Sequence, residues 1–101
     1  TSDHGDFVGE YGLIRKGPEL PEALCRIPMI FAGPGIVARG ERMTAHVSIT
    51  DVMPTLCEAI GREMPAGVQG RSLWPMLTGG DWPADLPGQA DNDIYGMPGI
   101  I

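Results

Sequence analysis

The order of apolar runs along this chain predicts an α/β fold, and three observations carry that reading. The stretch RIPMIFAGPGI holds an apolar run from Ile27 to Ala32 with no polar alternation, the pattern of a strand covered on both faces, as in a parallel sheet. In SITDVMPTLCEAIG, Met53, Leu56, Cys57 and Ile60 fall at i, i+3, i+4 and i+7, one apolar stripe of a helix suited to packing on a sheet. Strand and helix then alternate, which is the layout of a layered α/β structure.

Taken in order, residues 1–18 read as a loop in which Phe7, Val8, Tyr11, Leu13 and Ile14 supply packing surface. A short helix follows at residues 18–25, with Pro18 near its first turn and Pro28 barring continuation. The strand at Ile27 to Ala32 ends at Gly33-Pro34-Gly35, and a weaker strand is expected at Met43 to Val47. For the main helix, Ser48 or Thr50 can cap the start and Asp51 favours its positive end. Pro54 belongs in the first turn, and Gly61 suits the left-handed residue that closes such a helix. A short apolar helix is expected around Ser72 to Leu77. Residues 79–93 read as a polar, proline-broken loop, and IYGMPGII as a strand that is just beginning. Both ends read as cuts, the first inside a loop and the last inside an element.

The bulk composition narrows the function classes. With 101 residues there is room for one modest core, burying roughly 65% of the unfolded chain's surface. Glycine and proline supply 15 and 10 residues, which implies much irregular chain between few elements. A net charge of −6, with no basic patch beyond Arg15-Lys16, argues against nucleic acid as a partner. The apolar runs are too short to span a bilayer. Cys25 and Cys57 lie 32 residues apart in apolar contexts, forming neither a C-x-x-C pair nor a disulfide framework, and read as buried free thiols.

The chemistry-bearing cluster opens the chain: TSDHGDFVGEYGLIRKG. Asp3 and His4 are neighbours, and at the end of a strand, where Gly5 permits a turn, both side chains can converge on one cation. Two ligands do not complete a site, since calcium takes 6–8 and magnesium six, so other carboxylates must contribute. Asp6 and Glu10 are the local candidates. The alternative is a plain hydrogen bond between the pair. Lys16, the chain's only lysine, could hold an oxyanion as a point charge or be a solvated surface group. His46 reads as a partly buried structural histidine, and Trp74 and Trp82 as packing residues or, alternatively, a sugar-stacking platform.

Four stretches in this order, TSDHGDFVGEYGLIRKG, RIPMIFAGPGI, SITDVMPTLCEAIG and VQGRSLWPMLTG, resemble sulfatases of the alkaline-phosphatase-like superfamily over roughly residues 1–80. The resemblance implies an α/β/α sandwich around a large, mostly parallel or mixed sheet, of which residues 1–101 would be a slice: a metal and sulfate loop at 1–18, a strand and helix core at 19–61, and a short helix with an irregular tail at 62–101. It further implies that Asp3 and His4 are late metal ligands completing a site begun by upstream aspartates. The ion would be calcium in the first instance, with magnesium, manganese or zinc as alternatives. By the same resemblance Lys16 contacts the sulfate group. Arg26 with Pro28, and Asp51 with Pro54 and Thr55, match structural motifs of the family.

One departure limits what this chain can do. The family's nucleophile is a formylglycine made from the Cys or Ser of a C/S-x-P-x-R motif. CRIPM at Cys25 and CEAIG at Cys57 both fail that pattern, and Ser2, Ser48 and Ser72 lack it too. No catalytic nucleophile is therefore assigned within these residues; the formylglycine would lie outside them, and the 101 residues alone are expected to be inactive and, with sheet edges uncovered, to self-associate. The resemblance implies hydrolysis of a sulfate ester by a periplasmic or secreted protein, with sulfated carbohydrates, small aryl sulfates and choline-type esters all open as substrates. A phosphonate monoester hydrolase or phosphodiesterase of the same superfamily is the second reading, and a non-catalytic folding fragment the third.

Overall fold

The computed structural model describes residues 1–37, 40, 42–43, 45–81, 89–92 and 97–100. They form short helices and two separate two-stranded antiparallel ladders, distributed over two compact units. One unit comprises Thr1–Ile30 with Gln89–Ile101, the other Phe31–Gly88.

In the first unit, β1 (Phe7–Val8) pairs antiparallel with β2 (Ile14–Arg15), Phe7 opposite Arg15 and Val8 opposite Ile14. The chain reverses through a 3-10 turn at Glu10–Gly12, where Tyr11 takes φ 56°, and Arg15 follows at φ 66°. Left-handed backbone at residues carrying a Cβ costs on the order of 1–2 kcal/mol each. Part of that is offset by the edge-to-face contact of Phe7 with Tyr11, whose ring centres lie 6.1 Å apart. Helix α1 (Glu22–Cys25) begins after Pro21, whose carbonyl accepts from Leu24 and Cys25, so it is shorter than the segment 18–25 that the sequence suggests. Phe7 and Leu24 are the buried apolar side chains here. The last two strands, β3 (Gln89–Asn92) and β4 (Met97–Ile100), pair antiparallel with Ala90 opposite Gly99. The expected loop at 79–93 thus gives way to a strand at its end, because residues 97–100 return as an antiparallel partner.

The second unit is built on α2 (Val52–Ala59), entered through a 3-10 turn at Ile49–Asp51. Ser48 is the cap: its hydroxyl accepts from Thr50 while the Asp51 carboxylate accepts from the Ser48 N–H, a reciprocal capping box. At the other end Gly61, at φ 65°, lets Arg62 donate to Cys57 and Gly61 to Glu58, closing the helix as the sequence predicts. Asp51 and Thr55 are buried, and both reach across to the segment before α3 (Trp74–Leu77). Asp51 accepts from the Arg71 N–H at 2.8 Å, and the Thr55 hydroxyl accepts from the Leu73 N–H at 2.8 Å while donating to the Asp51 carbonyl. Leu73, Met76 and Leu77 complete this core.

Several expectations are not met. Residues 27–32 form no strand: ladders are made by pairing, no described residue pairs with them, and Ile30 is 82% exposed. The described part of 43–47 likewise carries no strand. The apolar stripe of α2 faces outward, with Met53, Leu56 and Ile60 all at least half exposed, because the helix turns its polar Asp51–Thr55 side to α3 instead. His46 is exposed rather than partly buried. Cys25 and Cys57 are free and half-buried, and burial pushes the Cys25 thiol up. Among the described residues no helix is long and apolar enough to cross a membrane.

Candidate metal and anion site

The β1–β2 hairpin decides where Lys16 goes. His4 lies three residues before β1 and Lys16 one residue after β2, so the antiparallel pairing returns the lysine to the histidine. Lys16 Nζ then sits 2.7 Å from His4 Nε2. The turn that makes this return is held by Glu10, whose carboxylate accepts from the Val8 N–H at 2.8 Å; that contact holds the Glu10 carboxyl below its usual range. Glu10 is thereby committed to the hairpin rather than to the Asp3–His4 corner.

Gly5 fixes the other side. Its N–H donates to the Leu24 carbonyl at 2.8 Å, and a Cβ there would lie 2.0 Å from the Ala23 carbonyl oxygen. The glycine is needed for this close approach to α1 rather than for a left-handed turn. Backbone contact and side-chain placement are linked, because the Gly5 carbonyl also takes the His4 Nδ1 contact at 2.6 Å.

The ring state of His4 follows from its partners. An ammonium has no lone pair and can only donate, so Nε2 is the acceptor facing Lys16. A carbonyl can only accept, so Nδ1 carries the hydrogen and donates to Gly5. A metal-ligating imidazole is held in just this way, one nitrogen tied to a backbone carbonyl and the other presenting its lone pair. Asp3 Oδ2 stands 3.6 Å from that lone-pair nitrogen, close to the separation of about 3–3.5 Å between neighbouring ligands of one ion with bonds near 2.0–2.3 Å. The N–H groups of Asp3 itself and then of His4 hold the Asp3 carboxyl below its usual range, so it stays ionised and available.

The donor set fits part of a cation site. Asp3 and His4 present one hard oxygen and one imidazole nitrogen, and Lys16 brings a positive charge beside the imidazole. Among the described residues no group of three or more His, Cys, Asp and Glu side chains is placed to hold an ion. Asp6 and Glu10 therefore do not join Asp3 and His4 in such a group. An open depression of about 310 Å³ beside α2, between Pro54, Glu58, Arg62 and Met64, includes none of the three site residues. Trp74 packs its ring edge against Gly35, and Trp82 lies outside the described residues.

The chain is 35% identical over 78 residues to arylsulfatase K of Xenopus laevis, covering 77% of this chain and 14% of the relative. It is 35% identical over 99 residues to an N-acetylglucosamine-6-O-sulfatase of Bacteroides thetaiotaomicron, covering 97% of this chain and 18% of the relative. A multifunctional alkaline phosphatase superfamily protein, PehA of Trinickia caryophylli, is 36% identical over 100 residues, 94% of this chain and 19% of the relative. The chain belongs to the sulfatase and alkaline-phosphatase superfamily. It spans less than a fifth of the length of these relatives. No family model matches, and no solved structure matches. The longer matches carry the superfamily likeness past residue 80 into the tail, which by its motifs alone is unassigned.

The sequence singled out Asp3, His4 and Lys16 but held no sign of how they meet. Gly5 matters for its lack of a side chain rather than for the turn that its freedom predicts. Glu10, a local ligand candidate by sequence, serves the hairpin instead.

Proposed function

We propose that these residues form the late portion of the cation and anion site of a sulfuric ester hydrolase built on an α/β/α sandwich. The observation that carries the reading is the return of Lys16 to the Asp3–His4 corner in a chain related to sulfatases. Asp3 and the Nε2 of His4 would hold a divalent cation, calcium in the first instance, with manganese or zinc better matched to the imidazole. Such an ion supplies charge neutralisation and alignment for an ester's anionic oxygens. Gly5 holds the imidazole so that Nε2 points at the corner, and Asp3 contributes a carboxylate kept ionised by its N–H contacts. Lys16 adds a second positive charge for the sulfuryl oxygens, where charge builds as the ester bond breaks. No residue of this chain fits the C/S-x-P-x-R motif, so the nucleophile is assigned outside it and the 101 residues alone are inactive. Aryl sulfates or sulfated carbohydrates are the substrate class.

The imidazole in the donor set also favours a second reading, a phosphoryl-transfer enzyme of the same superfamily. Elemental analysis of the full-length protein, paired with assays on aryl sulfate and aryl phosphate esters, separates the two. In the full-length enzyme Lys16→Ala should cut turnover by about 100- to 1000-fold with metal content retained. Unchanged kinetics would remove Lys16 from the site.

A further inference from the structure

A consequence follows from the single lone pair on His4 Nε2. That nitrogen is the acceptor of the Lys16 ammonium at 2.7 Å, and the same lone pair is the one a cation needs. One lone pair serves one partner at a time. Nδ1 offers no second seat, since it carries the hydrogen given to Gly5 at 2.6 Å. The Asp3 carboxylate flanks the same nitrogen at 3.6 Å, while the lysine ammonium contacts Nε2 alone.

Resting on the cation-site reading above, we infer that Lys16 occupies the His4 lone pair that a cation needs, and that entry of a divalent ion evicts its ammonium from His4. Lys16 is a positioning residue in this step. The hairpin supplies the reach: Lys16 follows Arg15, a residue in left-handed backbone at the end of β2, and its side chain is exposed on a flexible four-carbon stem. Once displaced, the ammonium is free to meet an anion beside the ion, so loading is ordered, cation first and ester second. Without the ion, the lysine's charge is spent on the histidine.

The test measures Mn²⁺ affinity of the full-length protein by calorimetry or by the electron paramagnetic resonance of free Mn²⁺, with no substrate present. Lys16→Met removes the occupant; Arg15→Met removes a neighbouring positive charge and leaves the Lys16–His4 contact in place. Losing a competing hydrogen bond should tighten Mn²⁺ binding about 2- to 10-fold in Lys16→Met, with a smaller change in Arg15→Met. The NMR signal of the His4 ring should also shift in metal-free Lys16→Met, since its Nε2 partner is gone. Equal tightening in both variants would make the effect one of net charge and overturn the inference, as would unchanged affinity in Lys16→Met. Failure of the wild-type and both variants to bind Mn²⁺ would instead remove Asp3 and His4 as ligands, and the inference with them.

Discussion

At the scale of single residues, the site depends on contacts that residue types alone do not reveal. Gly5→Ala would place a methyl group 2.0 Å from the Ala23 carbonyl oxygen, a backbone atom that cannot swing away. The strain should cost about 1–3 kcal/mol and shift the His4 ring with it. Thermal melting of the full-length protein, together with its metal affinity, reads both effects, and an unchanged melt would contradict the close packing of Gly5 on α1. Asp3 gives a second check. Its folded carboxyl lies below the ordinary value of 3.8, chiefly through its own N–H and that of His4. A depressed carboxyl contributes stability that is present above the unfolded value and lost as pH falls through the folded one. A carboxyl NMR titration should therefore place the Asp3 midpoint below 3.8, and a midpoint at or above it would deny those N–H contacts.

At the scale of elements, α2 was the most legible feature and the least legible in its packing. Ser48, Asp51 and Gly61 announce its ends by chemistry local to the backbone, and the structure uses all three. Its apolar stripe faces outward against expectation, since amphipathicity states which face is apolar and not what covers it. The buried face is instead a polar staple, in which Asp51 and Thr55 together accept the Arg71 and Leu73 N–H groups. Those partners lie 20 and 18 residues away, beyond the reach of any local motif. Thr55→Val keeps the shape but leaves the Leu73 N–H without its acceptor, and Asp51→Ala strips the Ser48 and Arg71 N–H groups of theirs. Each should lower stability by about 1–3 kcal/mol in denaturant unfolding. A Thr55→Val protein as stable as wild type would show that the staple contributes nothing. The segment 27–32 failed for the converse reason: its apolar run is plain in the sequence, but a strand exists only with a partner beside it.

At the scale of the whole molecule, the family was legible and the sheet was not. The four ordered motifs place the chain among sulfatases, and relatives at 35% and 36% identity agree. The described strands, by contrast, form two small antiparallel ladders and no parallel sheet. A chain covering less than a fifth of its relatives' length carries motifs whole but only a share of the pairings that build a sheet. The same incompleteness applies to the site, where Asp3 and His4 converge and no third His, Cys, Asp or Glu joins them among the described residues. The central claim is that the Asp3–His4 corner holds a cation. Metal content by elemental mass spectrometry tests it directly, on the full-length protein and on its Asp3→Ala and His4→Ala variants after equal dialysis. Near-stoichiometric metal in the wild type and a loss of most of it in each variant is the predicted result; variants that retain the wild-type metal content would contradict it.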